Sequence, residues 1–139
     1  MAMTTHVDIV SAENEIWSGQ ATMVFAPGIM GELGIAPRHT PLLTRLKAGE
    51  VRVRGENGED ESFFITGGML EIQPHIVTIL SDTAVCADDL DEAAAIEARQ
   101  RAEEAMQSKS SEMDFARASA ELAEAAAMVE TIKKLKGRR

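Results

Sequence analysis

The sequence predicts a β + α chain: an antiparallel β-sandwich of about ten short strands over residues 1–87, followed by an antiparallel α-helical hairpin over residues 88–139. Three observations lead to this prediction. Apolar and polar residues alternate in short runs through the first part, and turn-forming pairs separate these runs. The second part contains no proline and only one glycine, Gly137, and its apolar residues follow helical spacing.

Period-two alternation marks the predicted strands at residues 7–9, 22–26, 51–54, 70–72 and 77–79. Asn57-Gly58, between Val53 and Phe63, predicts a hairpin with a type I′ turn, because this pair tolerates positive φ. Further turns are predicted at Ser18-Gly19, Pro27-Gly28, Ala48-Gly49, Gly67-Gly68 and Pro74-His75. Many short strands with regular turns are typical of a sandwich or a flattened barrel.

The first helix is predicted to be capped by Asp88 or Asp89 and to run to about Met106, and Ser111 with Asp114 has capping-box spacing for a second helix. The predicted apolar stripes are Leu90, Ala94, Ile96, Ala98, Ala102 and Ala105, then Phe115, Ala118, Leu122, Ala126, Val129 and Ile132. Each alanine buries little area, so the helices are expected to be weakly held and able to change position. A permanently docked hairpin is the alternative.

Composition excludes several classes of protein. A formal net charge of −9 argues against nucleic-acid binding, which needs a basic surface. No apolar window is long enough to span a membrane, so any membrane association must come through partner proteins. The first six residues do not form the basic and apolar regions of a signal peptide. The lone Cys86 excludes an internal disulfide framework and is expected to be a small buried residue.

Residues 31–43 are unusual because two glycines and two prolines alternate with four large aliphatic side chains. Gly31 and Gly34 allow positive φ or close backbone approach, and the prolines restrict the backbone. Leu33, Ile35, Leu42 and Leu43 are expected to anchor the segment in the core. Such a segment can hold Glu32 and His39 at defined surface positions, as a recognition edge requires.

No catalytic or metal site is predicted. Glu32 and His39 could form an acid–base pair, but no nucleophile or oxyanion element accompanies them. The three histidines, His6, His39 and His75, lack paired ligand spacing. Glycines at 28, 31 and 34 suggest a phosphate loop only superficially, because the Lys-Ser/Thr of such a loop is missing.

The motif Gly-Glu-Leu-Gly-Ile followed by Pro-x-His-x-Pro-Leu-Leu, within residues 31–43, resembles that of the epsilon subunits of bacterial F-type ATP synthases. The resemblance continues through Gly67-Gly68-Met69-Leu70-Glu71, residues 80–84 and the alanine-rich helices. It implies a non-catalytic central-stalk subunit that couples proton-driven rotation of the c-ring to ATP synthesis. The sandwich would bind the gamma subunit and the c-ring, and nucleotide chemistry would belong to the beta subunits of the alpha/beta assembly. The implied location is peripheral, on the cytoplasmic face of the inner membrane.

The resemblance also implies roles for particular residues. The interface with gamma and the c-ring would include Gly31, Glu32, Leu33, Gly34 and His39. The helical hairpin would inhibit ATP hydrolysis when it extends along gamma, and its basic end would approach an acidic segment of beta. That inhibitory tip comprises Lys133, Lys134, Lys136, Arg138 and Arg139. The alternative is a solvated tail whose cations favour a helix C-terminus.

Some members of this family bind ATP through an (Ile/Leu)-Asp-x-x-Arg-Ala motif, which Leu90 and Asp91 match. Ala94, however, replaces the arginine of this motif. Ala126 and Glu130 occupy two further positions at which ATP-binding members have arginines. Arg101 alone among the expected cations is retained. Without these guanidinium groups, ATP binding is expected to be weak or absent, and no cofactor is predicted.

Two other functions remain open from the sequence. One is a stand-alone module that senses a small molecule such as a nucleotide, and saturable binding by the isolated chain would favour it. The other is a small enzyme that uses Glu32 and His39, and turnover abolished by substituting either residue would favour that.

Overall fold

The computed structural model of the chain describes residues 3–107 and 112–137, which fall into two compact units divided between Asp88 and Asp89. The first unit contains β1 Thr5–Ser11, β2 Glu15–Ala21, β3 Met23–Gly28, β4 Gly31–Ile35, β5 Leu42–Leu46, β6 Gly49–Arg54, β7 Asp60–Ile65, β8 Gly68–Ile72, β9 Ile76–Ser81 and β10 Ala84–Cys86. A short 3-10 helix, Ala87–Asp89, follows. The second unit contains α1 Glu92–Gln107 and α2 Glu112–Gly137. The predicted fold class, β-sandwich followed by helical hairpin, is confirmed.

The strands form one hydrogen-bonded sheet in the order β10-β7-β6-β3-β5-β8-β9-β1-β2, and β4 pairs with β3 beside this path. Neighbours are antiparallel except β1 and β9, which run parallel. The sheet folds over on itself. This is shown by the Trp17 ring on β2, whose centroid lies 6.3 Å from that of the Phe63 ring on β7. Strands near opposite ends of the sheet therefore enclose a common core.

Alternate residues of the strands supply that core, as the period-two pattern predicts. Its buried members are Val7, Ile9, Ala21, Val24, Ala26, Ile35, Leu46, Val51, Val53, Phe63, Ile65, Leu70, Ile72, Val77 and Ile79. Burying a large apolar side chain stabilises a fold by about 1.5–3 kcal/mol, so this cluster dominates the stability of the first unit. Cys86 is half-buried and packs against the cluster.

Three of the turn predictions are wrong. Pro27-Gly28 lies at the end of β3, and the turn that follows it is Ile29-Met30. Ser18-Gly19 lies inside β2, where a Cβ on Gly19 would come within 2.8 Å of Cη2 of Trp17. That glycine makes room for the indole ring rather than for a turn. At the β6–β7 hairpin, Gly58 has a φ of 81°, whereas Asn57 does not have positive φ. Gly58 N–H donates to the Gly55 carbonyl at 3.0 Å. The loop is therefore a three-residue type with glycine in the left-handed position, not a type I′ turn.

The prediction that Leu42 and Leu43 anchor residues 31–43 in the core is also wrong. Leu42 is 40% exposed and Leu43 is 66% exposed, whereas Ile35 is buried and Leu33 packs against the core. Both leucines begin β5, where the strand is paired with β8, whereas its pairing with β3 is at the other end, between Leu46 and Gly28. The segment is thus held at its β4 end and presents apolar surface at its β5 end.

The cap of α1 is Asp91 rather than Asp88 or Asp89. Its Oδ1 accepts bonds from the backbone N–H groups of Ala93 at 3.0 Å and Ala94 at 3.3 Å. These are the amides that an N-cap carboxylate satisfies. The start of α2 proposed at Ser111 lies outside the described residues.

The buried stripes of the hairpin differ in part from those predicted. In α1 the buried residues are Ala95 and Ala102, while Ala94 and Ala105 are exposed. In α2 the buried apolar residues are Ala118, Ala125, Val129 and Ile132, while Ala126 is half-buried and Phe115 is 38% exposed. Four buried positions match the predicted stripes: Ala102, Ala118, Val129 and Ile132. Ala95 and Ala125 are buried in place of Ala94 and Ala126, because neighbouring alanines in an alanine-rich helix offer similar apolar stripes.

Candidate functional site

Four of the predicted interface residues lie on β4: Gly31, Glu32, Leu33 and Gly34. This strand pairs with β3, and strand alternation turns Leu33 and Ile35 toward the core. Glu32 and Gly34 consequently face outward and are exposed. The strand therefore presents the Glu32 carboxylate on its outer face, while Leu33 and Ile35 hold its inner face against the core.

The β3–β4 turn is tight. Gly28 and Gly31 are paired across it, and a Cβ on Gly28 would lie 2.7 Å from the Gly31 carbonyl oxygen. Gly31 itself has a φ of 134°, which residues with a side chain rarely adopt. The two residues between them are very exposed, Ile29 at 54% and Met30 at 95%. An exposed apolar tip on a constrained turn is typical of a contact surface.

A stacked cluster braces the outer face next to Gly34. Phe25 on β3 is opposite Gly34, and a Cβ on Gly34 would meet the Phe25 ring at ordinary van der Waals distance, 3.7 Å from Cε1. The Arg52 guanidinium lies 4.2 Å from the ring centroid, at cation–π distance. Asp60 links this arginine to Arg54, with N–O distances of 3.5 Å and 2.9 Å. The cluster joins β3, β6 and β7 on the outer face of the sheet, beside the strand that carries Glu32.

His39 lies in the connection between β4 and β5. It is half-buried, and its Nδ1 lies 2.7 Å from the Thr40 carbonyl oxygen, to which it donates as N–H. Arg38, next to it, has a φ of 62°, and its N–H donates to the Pro74 carbonyl at 3.0 Å. Within the described residues, no hydrogen bond or ion pair joins His39 to Glu32. Glu32 lies beside the β3–β4 turn, whereas His39 follows the other end of β4, next to the Arg38–Pro74 bond, so the two residues do not form an acid–base pair.

His6 belongs to a hydrogen-bonded polar cluster on β1 and β2. Ser18 Oγ donates to Asp8 Oδ1 at 2.7 Å, and His6 Nε2 lies 2.9 Å from the same oxygen. The bond from Ser18, followed by that from His6, lowers the pKa of Asp8 although burial opposes this. Across residues 3–107 and 112–137, no three His, Cys, Asp or Glu side chains are arranged to hold a metal ion.

The helical hairpin contains a cleft of about 690 Å³ between α1 and α2. Leu90, Asp91 and Arg101 of the predicted nucleotide motif line it. The other lining residues are Asp89, Ala94, Ala95, Ala98, Ala102, Ala105, Glu121, Glu124, Ala125 and Met128. Four carboxylates therefore surround one guanidinium group over an apolar floor. This charge balance opposes a phosphate ligand.

The basic end of α2 is exposed. Lys133, Lys134 and Lys136 lie in its last turns, and Lys136 Nζ forms an ion pair with Glu92 at the start of α1. Arg138 and Arg139 lie outside the described residues. The described part of the chain contains no helix long and apolar enough to cross a membrane.

Two family models together match nearly the whole chain. Residues 4–87 match the ATP synthase delta/epsilon chain β-sandwich domain, and residues 88–133 match the delta/epsilon chain long α-helix domain. The chain belongs to the ATP synthase epsilon chain family. The sequence of Nitrosococcus oceani ATP synthase epsilon chain is 60% identical over 136 residues, covering 98% of this chain and 97% of the relative. Epsilon chain 1 of Methylococcus capsulatus is 61% identical over 132 residues, covering 95% and 94%.

The fold is similar to that of solved ATP synthase subunits. A chain in the mitochondrial ATP synthase of Euglena gracilis, solved with OSCP, F1 and the c-ring, has a TM-score of 0.78 at 18% identity and covers 97% of this chain and 81% of its own length. A chain of the Tetrahymena thermophila central stalk and c-ring has a TM-score of 0.68 at 14% identity, with 94% and 97% covered. At such low identity these likenesses show a common fold.

The sequence did not identify several residues of this epsilon-family chain that lie at the β3–β4 turn and in the cleft of the hairpin. No prediction was made for Ile29 and Met30, although with 54% and 95% exposure they form a prominent apolar pair of the first unit. Glu121, Glu124 and Met128 line the cleft but stand outside the nucleotide motif. Their spacing of three and four residues puts them on one helix face, so helical periodicity could have identified them. Ala126 and Glu130 do not line the cleft.

Proposed function

We propose that this chain is a non-catalytic central-stalk subunit of an F-type ATP synthase. Its sandwich binds gamma and rests on the c-ring, its hairpin restrains ATP hydrolysis, and the alpha and beta subunits carry the nucleotide chemistry. The observation that supports this most is the likeness to ATP synthase epsilon chains over almost the full length, at 60% identity. The proposed location is peripheral, on the cytoplasmic face of the bacterial inner membrane, with the membrane contacted through partner subunits.

The β4 surface suits a part that transmits displacement between neighbouring proteins. Glu32 projects from a strand whose other face is packed in the core, next to a turn restricted by Gly28 and Gly31. Closely packed interiors have low compressibility and transmit strain. Glu32 would contact the polar loops of the c-ring together with the exposed Met30 in the adjacent turn, and His39 would extend the contact beyond the other end of β4.

The hairpin suits a part that changes position. Among its described residues, the hydrophobic cluster has three buried members, Ala95, Val129 and Ile132. The cleft further reduces the apolar area that the two helices share. A small contact area gives a small free-energy difference between closed and open arrangements, so partner subunits can shift the balance.

Co-purification with partner subunits tests the proposed function. The tagged chain, returned to membranes lacking their own copy, is expected to recover gamma and c subunits in detergent. Glu32→Lys is expected to lower the recovery of c subunits while gamma is retained, because it places a cation where the carboxylate meets the ring. Glu13→Lys, an exposed change in the β1–β2 connection, is the matched control. Recovery of neither subunit by the unmodified chain would contradict the proposal.

We expect ATP to bind weakly or not at all. Calorimetric titration of the chain with ATP to millimolar concentration should give no saturation, because four carboxylates and one arginine line the cleft. The double variant Ala94→Arg with Glu124→Gln should gain affinity by about tenfold or more, since a charged hydrogen bond contributes about 1.5–3 kcal/mol. Saturable binding by the unmodified chain would instead favour the alternative function, a nucleotide-sensing module, for which the cleft is the supporting observation.

A further inference from the structure

The two ends of the helical hairpin are held differently. Near the start of α1 and the end of α2, a hydrophobic cluster joins the helices through Ala95, Val129 and Ile132, with Leu90, Ile96 and Met128 packed against it. Farther along, the buried contacts are alanines, Ala102, Ala118 and Ala125, beside the open cleft. The helices are thus held mainly at the end where the chain enters α1 and leaves α2.

An ion pair lies at that same end. Lys136 Nζ contacts a carboxylate oxygen of Glu92, 44 residues earlier, and this contact joins the first turn of α1 to the last turn of α2. Each charge also lies at the helix end that favours it, the carboxylate at an N-terminus and the ammonium group at a C-terminus. Separating the helices breaks the ion pair but leaves both dipole interactions intact.

We propose that Glu92 acts as an internal latch that holds Lys136 and so keeps the hairpin closed. An ammonium group engaged with Glu92 has fewer donors free for an acidic surface elsewhere. The closed hairpin therefore occupies one of the cations of the inhibitory tip, and opening the hairpin releases it. The consequence for the assembled enzyme rests on the proposed function, whereas the latch is a property of the chain itself.

The expected effect on the closed-to-open ratio is modest. The two side chains are 63% and 36% exposed, so water and salt screen their attraction. Exposed pairs of this kind change an equilibrium by about two- to fivefold. Raising the salt concentration should reduce the difference between the unmodified chain and a variant without the pair.

The latch can be tested in the isolated full chain. Spin labels at Gln100 and Ser119, exposed positions on α1 and α2, report helix separation in a Cys86→Ala background. Glu92→Gln, Lys136→Gln and the double variant form a cycle that isolates the pair from each charge's own dipole interaction. Both single variants should increase the separated population by about two- to fivefold, and the double variant should add little. Glu97→Gln and Lys134→Gln, matched changes on the same two helices, should leave it unchanged.

ATP hydrolysis by the assembled ATP synthase is a second measurement, and in it variants of Glu92 and of Lys136 are expected to have opposite effects. Glu92→Gln frees Lys136 and should strengthen inhibition of ATP hydrolysis, whereas Lys136→Gln removes a tip cation and should weaken it. Additive effects of the two variants in the isolated chain, or separation equal to that of the controls, would overturn the latch. Normal latch behaviour in the isolated chain, with no effect of either variant on hydrolysis, would instead overturn the proposed inhibitory role.

Discussion

Removing residues 88–139 is expected to raise ATP hydrolysis by the assembled complex by about fivefold or more, while proton-driven ATP synthesis stays near its unmodified rate. The sandwich contains its own core cluster, separate from the small cluster of the hairpin. The truncated chain therefore keeps the packing that holds the β4 surface, including Glu32. Only the helical hairpin, which is proposed to inhibit ATP hydrolysis, is lost with its basic tip.

The measurement is ATP hydrolysis and ATP synthesis by membranes that carry either the full or the truncated chain. The triple variant Lys133→Gln, Lys134→Gln and Lys136→Gln should reproduce part of the increase, because it removes the charge of the tip while the helices remain. Arg117→Gln, an exposed change nearer the start of α2, is the matched control. If ATP hydrolysis by membranes with the truncated chain equals that with the full chain, the proposed inhibition by the hairpin is contradicted.

Gly68→Ala is expected to destabilise the sandwich by more than about 3 kcal/mol, which is among the largest effects of a single substitution. Gly68 is paired with Ser81 across β8 and β9, and its φ is 150°. A Cβ there would lie 2.0 Å from the Leu80 carbonyl oxygen and 2.8 Å from Cα of Ser81. Both are backbone atoms, so relief requires the two strands to move apart where β8 begins and β9 ends.

Gly58→Ala is the matched control for this substitution. Gly58 also has positive φ, 81°, but nothing lies within 4 Å of the position that its Cβ would occupy. It should therefore cost only the conformational strain, about 1–2 kcal/mol. Urea unfolding of the two variants separates steric clash from strain. Equal losses of unfolding free energy would mean that β8 and β9 adjust to the methyl group, contrary to this prediction.

Local signals in the sequence were sufficient for much of the fold. Alternation identified strands such as β6, where Val51 and Val53 are buried, and the loss of glycine and proline after Asp88 identified the helical unit. The motif within residues 31–43 identified the family, which the family models and the relatives then confirmed. The roles of Glu32, His39 and the basic tip remain predictions.

Signals that depend on packing were less informative. Helical spacing could not choose between Ala125 and Ala126, because both positions carry the same small side chain. Three neighbouring aspartates could each have capped α1, and only the backbone geometry selects Asp91. Leu42 and Leu43 have the composition of core residues, but their exposure depends on which strands cover β5.

The sequence by itself determined the order of the two units, their secondary structure and the family, because these depend on residues close together in the chain. Tertiary structure alone decided that Phe25 stacks between Gly34 and Arg52, that Gly68 meets the backbone of Leu80, and that Glu92 pairs with Lys136. The physical reason is that backbone preference and hydrophobic period act over a few residues, whereas steric exclusion and charge pairing act between any atoms that folding brings together.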